Sequence, residues 1–351
     1  MIDFTSSLYL GFRHASEELP SWQFLTPGKP AALWEPELAR DVAQSTAALQ
    51  GCESGVVSTS TLHLFWDVLG WLADSRYHVY LDGGAYAIAH WGAERAASRG
   101  TPVARFRHYD ANRLEWSLRN STSGRPVVIA DGFCPACGKL APLADFLQCV
   151  RRRRGLLLID DTQSLGIFGT GASALDPYGR GGGGSLRAAS LHEEEDVISI
   201  SSLAKAFGAP LAVLSGSRGQ MLNFTEASQT RVHCSPPSIA VLSAAREALA
   251  RNRAEGDARR RRLAALVNLL RSKLAGSFAH EGAFPVQTIS DPCAGGLHSH
   301  LTARGIHTVL RAPPQGRPEY LTILITAAHT ASQVQILTAT LQNIPEATCL
   351  A

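Results

Sequence analysis

The sequence predicts an α/β fold built on a mainly parallel central sheet. Short β-like runs alternate with helical runs through most of the 351 residues, which is the order expected when helices wrap a parallel sheet. The run at residues 156–159 is apolar throughout, as expected of a buried strand. With 45% hydrophobic and 18% charged residues, the composition is that of an ordinary globular protein.

The elements follow from the spacing of the apolar residues along the chain. Strands are predicted at residues 55–58, 78–81, 102–106, 126–130, 156–159, 197–201 and 211–214. Helices are predicted at residues 36–49, 61–73, 86–97, 110–120 and 141–153, followed by helical spacing from 238 to 274. A short β-rich section, a strand at 320–326 and a helix at 331–341 come last.

The change of pattern near residue 240 predicts how the chain is divided into domains. We expect an N-terminal segment at 1–45, a large domain at 46–240 and a smaller C-terminal α+β domain at 241–351. Residues 172–196 contain four consecutive glycines and an acidic run, so we expect a mobile linker loop there.

Charge and hydropathy exclude several classes of protein. Thirty-three Lys and Arg residues against thirty Asp and Glu leave a net charge of +3, so no nucleic-acid partner is expected. The arginine runs at 151–154 and 259–262 fall on predicted helices and indicate solvated helix faces. No apolar stretch approaches the roughly 20 residues that span a bilayer, and the start of the sequence lacks a signal-peptide pattern. We therefore expect a cytoplasmic protein with no membrane partner.

The pair Cys134 and Cys137, in FCPACG, has the spacing of half a zinc site or of a redox motif. A structural zinc ion needs four ligands, and the chain contains no second CxxC and no HxxxH pair. The sequence therefore predicts no metal, and we expect a turn without a bound ion at these cysteines.

Charged residues follow two of the predicted strands. Asp160 and Asp161 come directly after the strand at 156–159, and Lys205 follows the strand at 197–201 within SSLAKAFG. Open α/β sheets bind ligands in the crevice at the carboxyl ends of their strands. Each of these residues alone would more often be structural than catalytic, so the pattern indicates a ligand site without identifying the ligand.

Six segments, in order along nearly the whole chain, resemble motifs of the α-oxoamine synthase family of fold-type I pyridoxal-phosphate enzymes. The pairs are IDFTSSLYLGF with FxSNDYLGL, FRHYDANRLEWSL with FxHNDxxxLExxL, GFCPACGKLAPL with VFSMDGDxAPL, LLLIDDTQSLGIFGTG with DDAHSxGxxGxxG, SSLAKAFG with TLxKAxG, and LITAAHT with LSAAHT. The resemblance implies a fold-type I transferase, pyridoxal 5'-phosphate as cofactor, and a homodimer with its active site between subunits.

The resemblance also implies catalytic roles for two residues. Lys205 would carry the cofactor as a Schiff base, and Asp160 would bond the pyridinium nitrogen of the ring. An anionic Asp160 keeps that nitrogen protonated, so the ring accepts electrons when a bond at the substrate Cα breaks. Lys205 would then transfer protons at Cα.

Further cofactor contacts are implied around the phosphate. Ser202 would bind the phosphate, together with the backbone N–H groups of Thr61 and Leu62 at the start of a helix. The segment RVHCSPP would bring His233 from one subunit toward the phosphate bound by the other.

Five positions decide how far the resemblance extends. Tyr86 stands where the family has a histidine stacked on the ring, and Gln163 where a histidine bonds the phenolic oxygen; both replacements can still make the contact. Pro135 replaces a serine and has no donor. Thr322 replaces the arginine that holds the substrate carboxylate in the family, so Arg311 becomes the candidate for that role.

The reaction implied is a decarboxylative condensation of an amino acid with an acyl thioester of CoA or of a carrier protein, giving an α-amino ketone. Another reaction at Cα, such as transamination, decarboxylation or Cα–Cβ cleavage, stays open because all of them use the same electron sink. A non-catalytic homologue that acts as a binding partner is the third alternative. The presence of both Lys205 and Asp160 argues against it.

Overall fold

The computed structural model describes residues 1–73, 76–121, 124–279, 281–311 and 319–343. The strands are β1 (Ile2–Asp3), β2 (Ser54–Ser58), β3 (Tyr77–Asp82), β4 (Val103–Phe106), β5 (Arg125–Asp131), β6 (Phe133–Cys134), β7 (Lys139–Leu140), β8 (Leu156–Asp160), β9 (Val197–Ser202), β10 (Ala212–Gly216), β11 (Val286–Ser290), β12 (Ile306–His307), β13 (Val309–Arg311) and β14 (Tyr320–Leu324).

The helices are α1 (Glu37–Gln50), α2 (Thr61–Ala73), α3 (Ala87–Ser98), α4 (Ala111–Arg119), α5 (Leu143–Arg151), α6 (Gly184–Ala188), α7 (Arg218–Ala227), α8 (Gln229–His233), α9 (Ile239–Lys273), α10 (Ala294–Thr302) and α11 (Ala331–Gln342). Among the helices described, none combines the length and the apolarity needed to cross a bilayer.

The central sheet has seven strands in the order β2-β10-β9-β8-β5-β3-β4. Neighbouring strands are parallel except at β10, which runs antiparallel to both β2 and β9. The prediction of an α/β fold with a mainly parallel sheet is confirmed. The seven strands predicted between residues 55 and 214 are the seven strands of this sheet, with ends that differ by at most two residues.

Helices cover both faces of the sheet because successive strand residues point to opposite sides. Val127 and Ile129 of β5 pack with residues of α2 and α3, whereas Val128 and Ala130 pack with residues of α4 and α5. Burial on both faces explains why these strands are apolar throughout. Polar groups that serve a ligand are therefore placed at the strand ends.

The C-terminal region forms a smaller antiparallel sheet in the order β11-β14-β13. The predicted boundary near residue 240 falls at the first turn of α9, which begins at Ile239. Strand β1 pairs in parallel with β12, with Ile2 opposite Ile306, so the N-terminal segment joins the C-terminal region. The division into three parts stays a prediction.

Three of the four glycines at 181–184, residues 182–184, are buried, so the prediction of a mobile linker is wrong there. Gly184 begins α6, and its N–H donates to the Phe168 carbonyl at 2.8 Å. A Cβ on Gly184 would lie 1.8 Å from Oδ2 of the buried Asp161, and its φ is +85°. Only glycine fits at this position, because it lacks the Cβ and tolerates positive φ.

Arg260 corrects the prediction that the run at 259–262 is a solvated helix face. Its side chain is 1% exposed and lies between α9 and the turn after β8. The guanidinium donates to the Gly166 carbonyl at 2.9 Å and to Oδ1 of Asn252 at 2.8 Å, and it pairs with Asp257 at 2.5 Å. A buried arginine persists in a fold when its donors find acceptors in this way.

Candidate active site

Three aspartates end neighbouring strands of the central sheet. Asp82 ends β3, Asp131 ends β5 and Asp160 ends β8, and the register of the parallel pair places Asp131 opposite Asp160. Asp82 and Asp160 are buried, and Asp131 is half-buried. This carboxyl edge is where open α/β sheets bind ligands, so the structure places charged groups in the predicted crevice.

Asp160 and Asp131 form a pair of neighbouring carboxyl groups at this edge of the sheet. Oδ1 of Asp160 accepts the Thr162 N–H at 3.0 Å, and Oδ1 of Asp131 accepts the Tyr86 N–H at 3.1 Å. Burial raises the pKa of Asp160, while the bonds from Thr162 and the charge of Lys205 act against that rise. Burial, followed by the charge of Asp160, raises the pKa of Asp131 to about 8. Two such groups close together favour one protonated and one ionised carboxyl, and the charge of Lys205 favours ionised Asp160.

Sequence analysis missed Asp131 although a signal for it exists. It directly follows an apolar strand, as Asp160 does, and the same end-of-strand rule selects both residues. Only the register between β5 and β8 shows that the two carboxylates are neighbours.

Lys205 lies in the turn that follows β9 and is half-buried. Burial lowers the pKa of its ammonium group, and the charge of Arg311 lowers it further. Asp160 and Asp131 act in the opposite direction. The charges of Lys205 and of both aspartates therefore act on one another at the carboxyl edge of the sheet.

Two predicted phosphate-binding elements lie at the same edge of the sheet. Ser202 ends β9, where its N–H donates to Oγ1 of Thr162 at 3.1 Å and its Oγ accepts the Ala204 N–H at 3.2 Å. Helix α2 begins at Thr61. Among the hydrogen bonds of the described residues, none engages the N–H groups of Thr61 and Leu62. Such free groups at the start of a helix favour anions.

Gln163 and Tyr86 occupy the positions predicted for contacts to the ring of the cofactor. Oη of the buried Tyr9 donates to Oε1 of Gln163 at 2.8 Å, which leaves the Gln163 amide group available as a donor. Sequence analysis did not single out Tyr9. Tyr86 immediately precedes α3 and its side chain is 60% exposed in the single chain, so one face of the ring is free to stack.

Asp161, next to Asp160, is bound within the protein interior. It is fully buried and accepts the N–H of Ser185 at 3.0 Å, its Oγ at 2.5 Å, and Nε2 of Gln50 at 3.4 Å. Burial raises the pKa of Asp161 to about 6 in spite of these bonds. The two adjacent aspartates thus point to opposite sides of the strand, and only Asp160 faces the crevice.

Three further positions, Arg311, Thr322 and His233, lie on the C-terminal sheet and on helix α8. Arg311 ends β13, is exposed, and influences the pKa values of both Lys205 and Tyr9. Thr322 is fully buried in the central strand of the C-terminal sheet. His233 ends α8 and is exposed on the surface of the single chain. The geometry of one chain does not bring His233 into the crevice.

The cysteine pair lies in the hairpin between β6 and β7, directly after Asp131. Cys134 is buried, Cys137 is half-buried, and the Gly138 N–H donates to the Cys134 carbonyl at 2.9 Å. The predicted turn is therefore present. His108, which the sequence analysis did not single out, lies against both cysteines.

The residues of the crevice fit pyridoxal 5'-phosphate on chemical grounds. Its aldehyde requires an amine, and Lys205 is held here with a lowered pKa. Its protonated ring nitrogen requires an anion, and Asp160 is a buried carboxylate at the carboxyl edge of the sheet. Its phosphate requires donors without partners, and the start of α2 supplies backbone N–H groups.

Comparisons with known proteins agree with this chemistry. The family model described as aminotransferase class I and II matches residues 92–341. The 8-amino-7-oxononanoate synthase of Alkalilimnicola ehrlichii is 28% identical over 254 residues, covering 70% of this chain and 62% of the relative. The synthase of the same name from Thioalkalivibrio sulfidiphilus is 30% identical over 248 residues, covering 68% and 60%. The chain thus spans about three fifths of the length of these curated relatives.

Solved structures match over the whole chain. The serine palmitoyltransferase of Sphingomonas wittichii superposes with a TM-score of 0.86 at 17% identity, covering 99% of this chain and 88% of that one. The 8-amino-7-oxononanoate synthase of Francisella tularensis superposes with a TM-score of 0.73 at 15% identity, covering 97% and 96%. At these identities the structures show a shared fold, which confirms the predicted fold-type I architecture. The chain therefore belongs to the aminotransferase class I and II family of pyridoxal-phosphate enzymes, and its relatives include α-oxoamine synthases.

Proposed function

We propose that this protein condenses an amino acid with an acyl thioester of CoA or of a carrier protein. The amino acid loses its carboxylate as CO2, the acyl group forms a bond to Cα, and the thiol leaves, giving an α-amino ketone. The observation that carries the proposal is the convergence of Lys205 with Asp160 at the carboxyl edge of the sheet, in a chain whose curated relatives are named 8-amino-7-oxononanoate synthase.

Lys205 and Asp160 supply the catalytic groups. When bound, the cofactor provides an electron sink for the carbanion at Cα. Lys205 holds the cofactor, and its depressed pKa favours the neutral amine that accepts a proton from Cα. Asp160 holds the proton on the ring nitrogen through a charge-assisted hydrogen bond in a dry site. Thr162 fixes the Asp160 carboxylate by donating to Oδ1.

The surrounding residues bind and orient the cofactor. Ser202 and the N–H groups of Thr61 and Leu62 hold the phosphate. Gln163, oriented by its bond from Tyr9, donates to the phenolic oxygen. The stacking contact comes from the Tyr86 ring.

The substrate carboxylate is assigned to Arg311. The position that carries an arginine in the resembled family is the buried Thr322, which has no charge to offer. Arg311 is exposed, carries a guanidinium and acts electrostatically on Lys205. A planar fork of this kind can clamp a carboxylate through two parallel hydrogen bonds.

We also propose a homodimer in which His233 of one subunit completes the phosphate site of the other. His233 ends the short helix α8 and is exposed, beside Val232, which is 52% exposed. Leu62, Trp66 and Tyr86 are 41%, 46% and 60% exposed. Apolar side chains exposed in this number around a binding site are typical of a surface that a second chain covers.

The experiment that tests the function combines spectroscopy with product analysis. Purified holoenzyme is mixed with single amino acids, and the visible spectrum of the cofactor is followed to find the donor that reacts. Acyl-CoA thioesters are then added, and CO2, free thiol and amino ketone are measured in equal amounts if the proposal holds. Lys205→Ala is the matched control and forms no product.

Two other outcomes would replace the proposal. Transfer of the amino group to a keto acid, or release of CO2 or an aldehyde without thioester, would identify another reaction at Cα. Thr322, in place of the family's arginine, is the observation that keeps this alternative open. Failure of every amino acid to alter the spectrum of the bound cofactor would favour a non-catalytic homologue.

A further inference from the structure

Three side chains that bind metals in other proteins meet beside the aspartates described above. His108 follows β4, Cys134 ends β6, and Cys137 lies in the turn between β6 and β7. One donor atom from each lies within 4.8 Å of the others, and Nε2 of His108 is 3.5 Å from Sγ of Cys137. Ligands of one tetrahedral zinc ion, with bonds of about 2.0 to 2.3 Å, lie roughly 3.5 to 3.8 Å apart. The cluster is therefore close to the dimensions of such a site.

Asp82 fixes the orientation of the histidine. Nδ1 of His108 lies 2.6 Å from Oδ1 of Asp82, so this nitrogen is engaged and Nε2 faces the cysteines. The Asp82 carboxylate is fully buried and also accepts the N–H of Gly84 at 2.7 Å and the N–H of Tyr109 at 2.8 Å. Histidines that bind metals are oriented by carboxylates in the same manner.

The backbone around the imidazole is shaped to hold it. A Cβ on Gly84 would lie 2.3 Å from Nδ1 of His108, so a side chain at this position would displace the ring. Tyr109 has a φ of +55°, and its ring stacks on His108 with 3.9 Å between centroids. A left-handed conformation in a non-glycine residue costs free energy, so the surrounding contacts must hold Tyr109 in place.

The chemical state and accessibility of the ligands suit a metal ion. Cys134 and Cys137 are free cysteines, the first buried and the second half-buried. His108 is also half-buried, so two of the three side chains are accessible to solvent. Two thiolates neutralise the charge of a divalent ion, so binding adds no net charge to this largely buried place.

We propose that His108, Cys134 and Cys137 bind one zinc ion, with a water molecule as the fourth ligand and Asp82 as the hydrogen-bond partner of the histidine. One imidazole and two thiolates are a donor set that favours zinc. The sequence predicts no metal because it contains no further CxxC or HxxxH ligands. The fold supplies a third ligand in another way, because it brings a histidine from a distant segment to the cysteine pair.

The ion links two segments that lie along one side of the crevice. It connects the loop after β4 to the β6–β7 hairpin, and Oη of Tyr109, next to His108, donates to the Asp131 carbonyl at 2.8 Å. Asp131 in turn accepts the Tyr86 N–H. The zinc site does not depend on the proposed reaction, since its ligands are separate from the residues assigned to catalysis.

The test measures metal in the untagged holoenzyme, purified under reducing conditions without chelator from cells supplied with zinc. Elemental analysis is expected to give one zinc per chain in the wild type and in Cys52→Ser, a matched change at a free cysteine outside the cluster. Cys137→Ser is expected to retain less than a tenth of that zinc. In competition with a chelator, Asp82→Asn is expected to bind zinc about 10- to 100-fold more weakly.

Cobalt substitution keeps the proposal testable if Cys137→Ser does not fold. Wild-type holoenzyme loaded with Co²⁺ should show the intense d–d bands of tetrahedral thiolate coordination, at wavelengths longer than the absorption of the cofactor. Absence of both zinc and these bands in the wild type would overturn the proposal. Full zinc content in folded Cys137→Ser would also overturn it. So would a disulfide between Cys134 and Cys137 in the purified protein, if the protein binds no zinc once that disulfide has been reduced.

Discussion

Replacing Asp160 by asparagine tests the electrostatic core of the proposed mechanism. The side chain is 7% exposed, and its Oδ1 accepts the Thr162 N–H, a bond that the Oδ1 of asparagine can keep. The fold should therefore tolerate Asp160→Asn with little change in stability. What the variant loses is the negative charge that faces the ring nitrogen of the cofactor.

The size of the effect follows from Coulomb's law. Two opposite charges about 4 Å apart attract by about 4 kcal/mol at an effective dielectric constant of about 20. At 1.36 kcal/mol per tenfold change, this is roughly a thousandfold shift in the protonation equilibrium of the ring nitrogen. Asp160→Asn should retain the cofactor on Lys205 and lose turnover by about that factor.

The matched control is Asp131→Asn, at the position paired with Asp160 across the β5–β8 register. The pKa of Asp131 is raised to about 8, so its carboxyl group is largely protonated near neutral pH and an amide resembles it. We expect less than about a tenfold loss of turnover in this variant. Product formation is measured with both variants at saturating substrate, and cofactor on Lys205 is measured by borohydride reduction and peptide mapping.

Three results would refute this reasoning. Near-normal turnover in Asp160→Asn would mean that the ring nitrogen does not depend on this carboxylate. A loss in Asp131→Asn as large as the loss in Asp160→Asn would assign the charge to the pair, or to Asp131. A reduced cofactor found on a lysine other than Lys205 would remove the assignment of the site itself.

Three further predictions concern the donor, the dimer and pH. Truncating one partner of a desolvated charge pair costs roughly 2 to 5 kcal/mol of binding free energy. Arg311 is exposed, so we expect the lower value: Arg311→Ala should weaken amino-donor binding by about 2 kcal/mol, roughly thirtyfold. The control Arg317→Ala, at a position outside the described residues, should leave amino-donor binding almost unchanged. Equal donor binding in wild type and Arg311→Ala would contradict the role of Arg311 as the carboxylate clamp. Mixing inactive Lys205→Ala and His233→Ala subunits should restore activity in mixed dimers, each with one intact site; an absence of rescue, or an active monomer, would contradict a shared site. The pKa of Asp131 is about 8 when folded and about 3.9 when unfolded, so its contribution to stability is lost as pH rises from about 4 through 8. Urea unfolding of cofactor-free protein at about pH 5 and about pH 9 should show a smaller loss in Asp131→Asn; identical losses would contradict the raised pKa.

Several features of this protein could be predicted because their signals are local. An apolar run between turn residues predicts a buried strand wherever it lies in the chain, so the seven strands of the sheet were placed within two residues. Lys205 and Asp160 follow such strands, and motifs around them carry the family resemblance. Because ligands of open α/β sheets bind at the carboxyl edge, the sequence alone predicts that the two residues lie in one ligand site.

Other features depend on the tertiary structure because they join distant segments. The glycine run at 181–184 has the composition of a linker, yet its close packing on Asp161 exists only after the chain folds back. Arg260 has the sequence context of a solvated residue and becomes buried because the turn after β8 packs on α9.

The sequence by itself determined the strands of the sheet, seven of the eleven described helices, the candidate lysine and aspartate and the family, since each is encoded in a short contiguous pattern. Helices α6, α7, α8 and α10 were not predicted. Only the tertiary structure decided that Asp131 lies beside Asp160, and that His108 meets Cys134 and Cys137. Strand order and register set these distances, and they result from the packing of the whole chain. The spacing of these residues along the sequence therefore does not predict the distances between them.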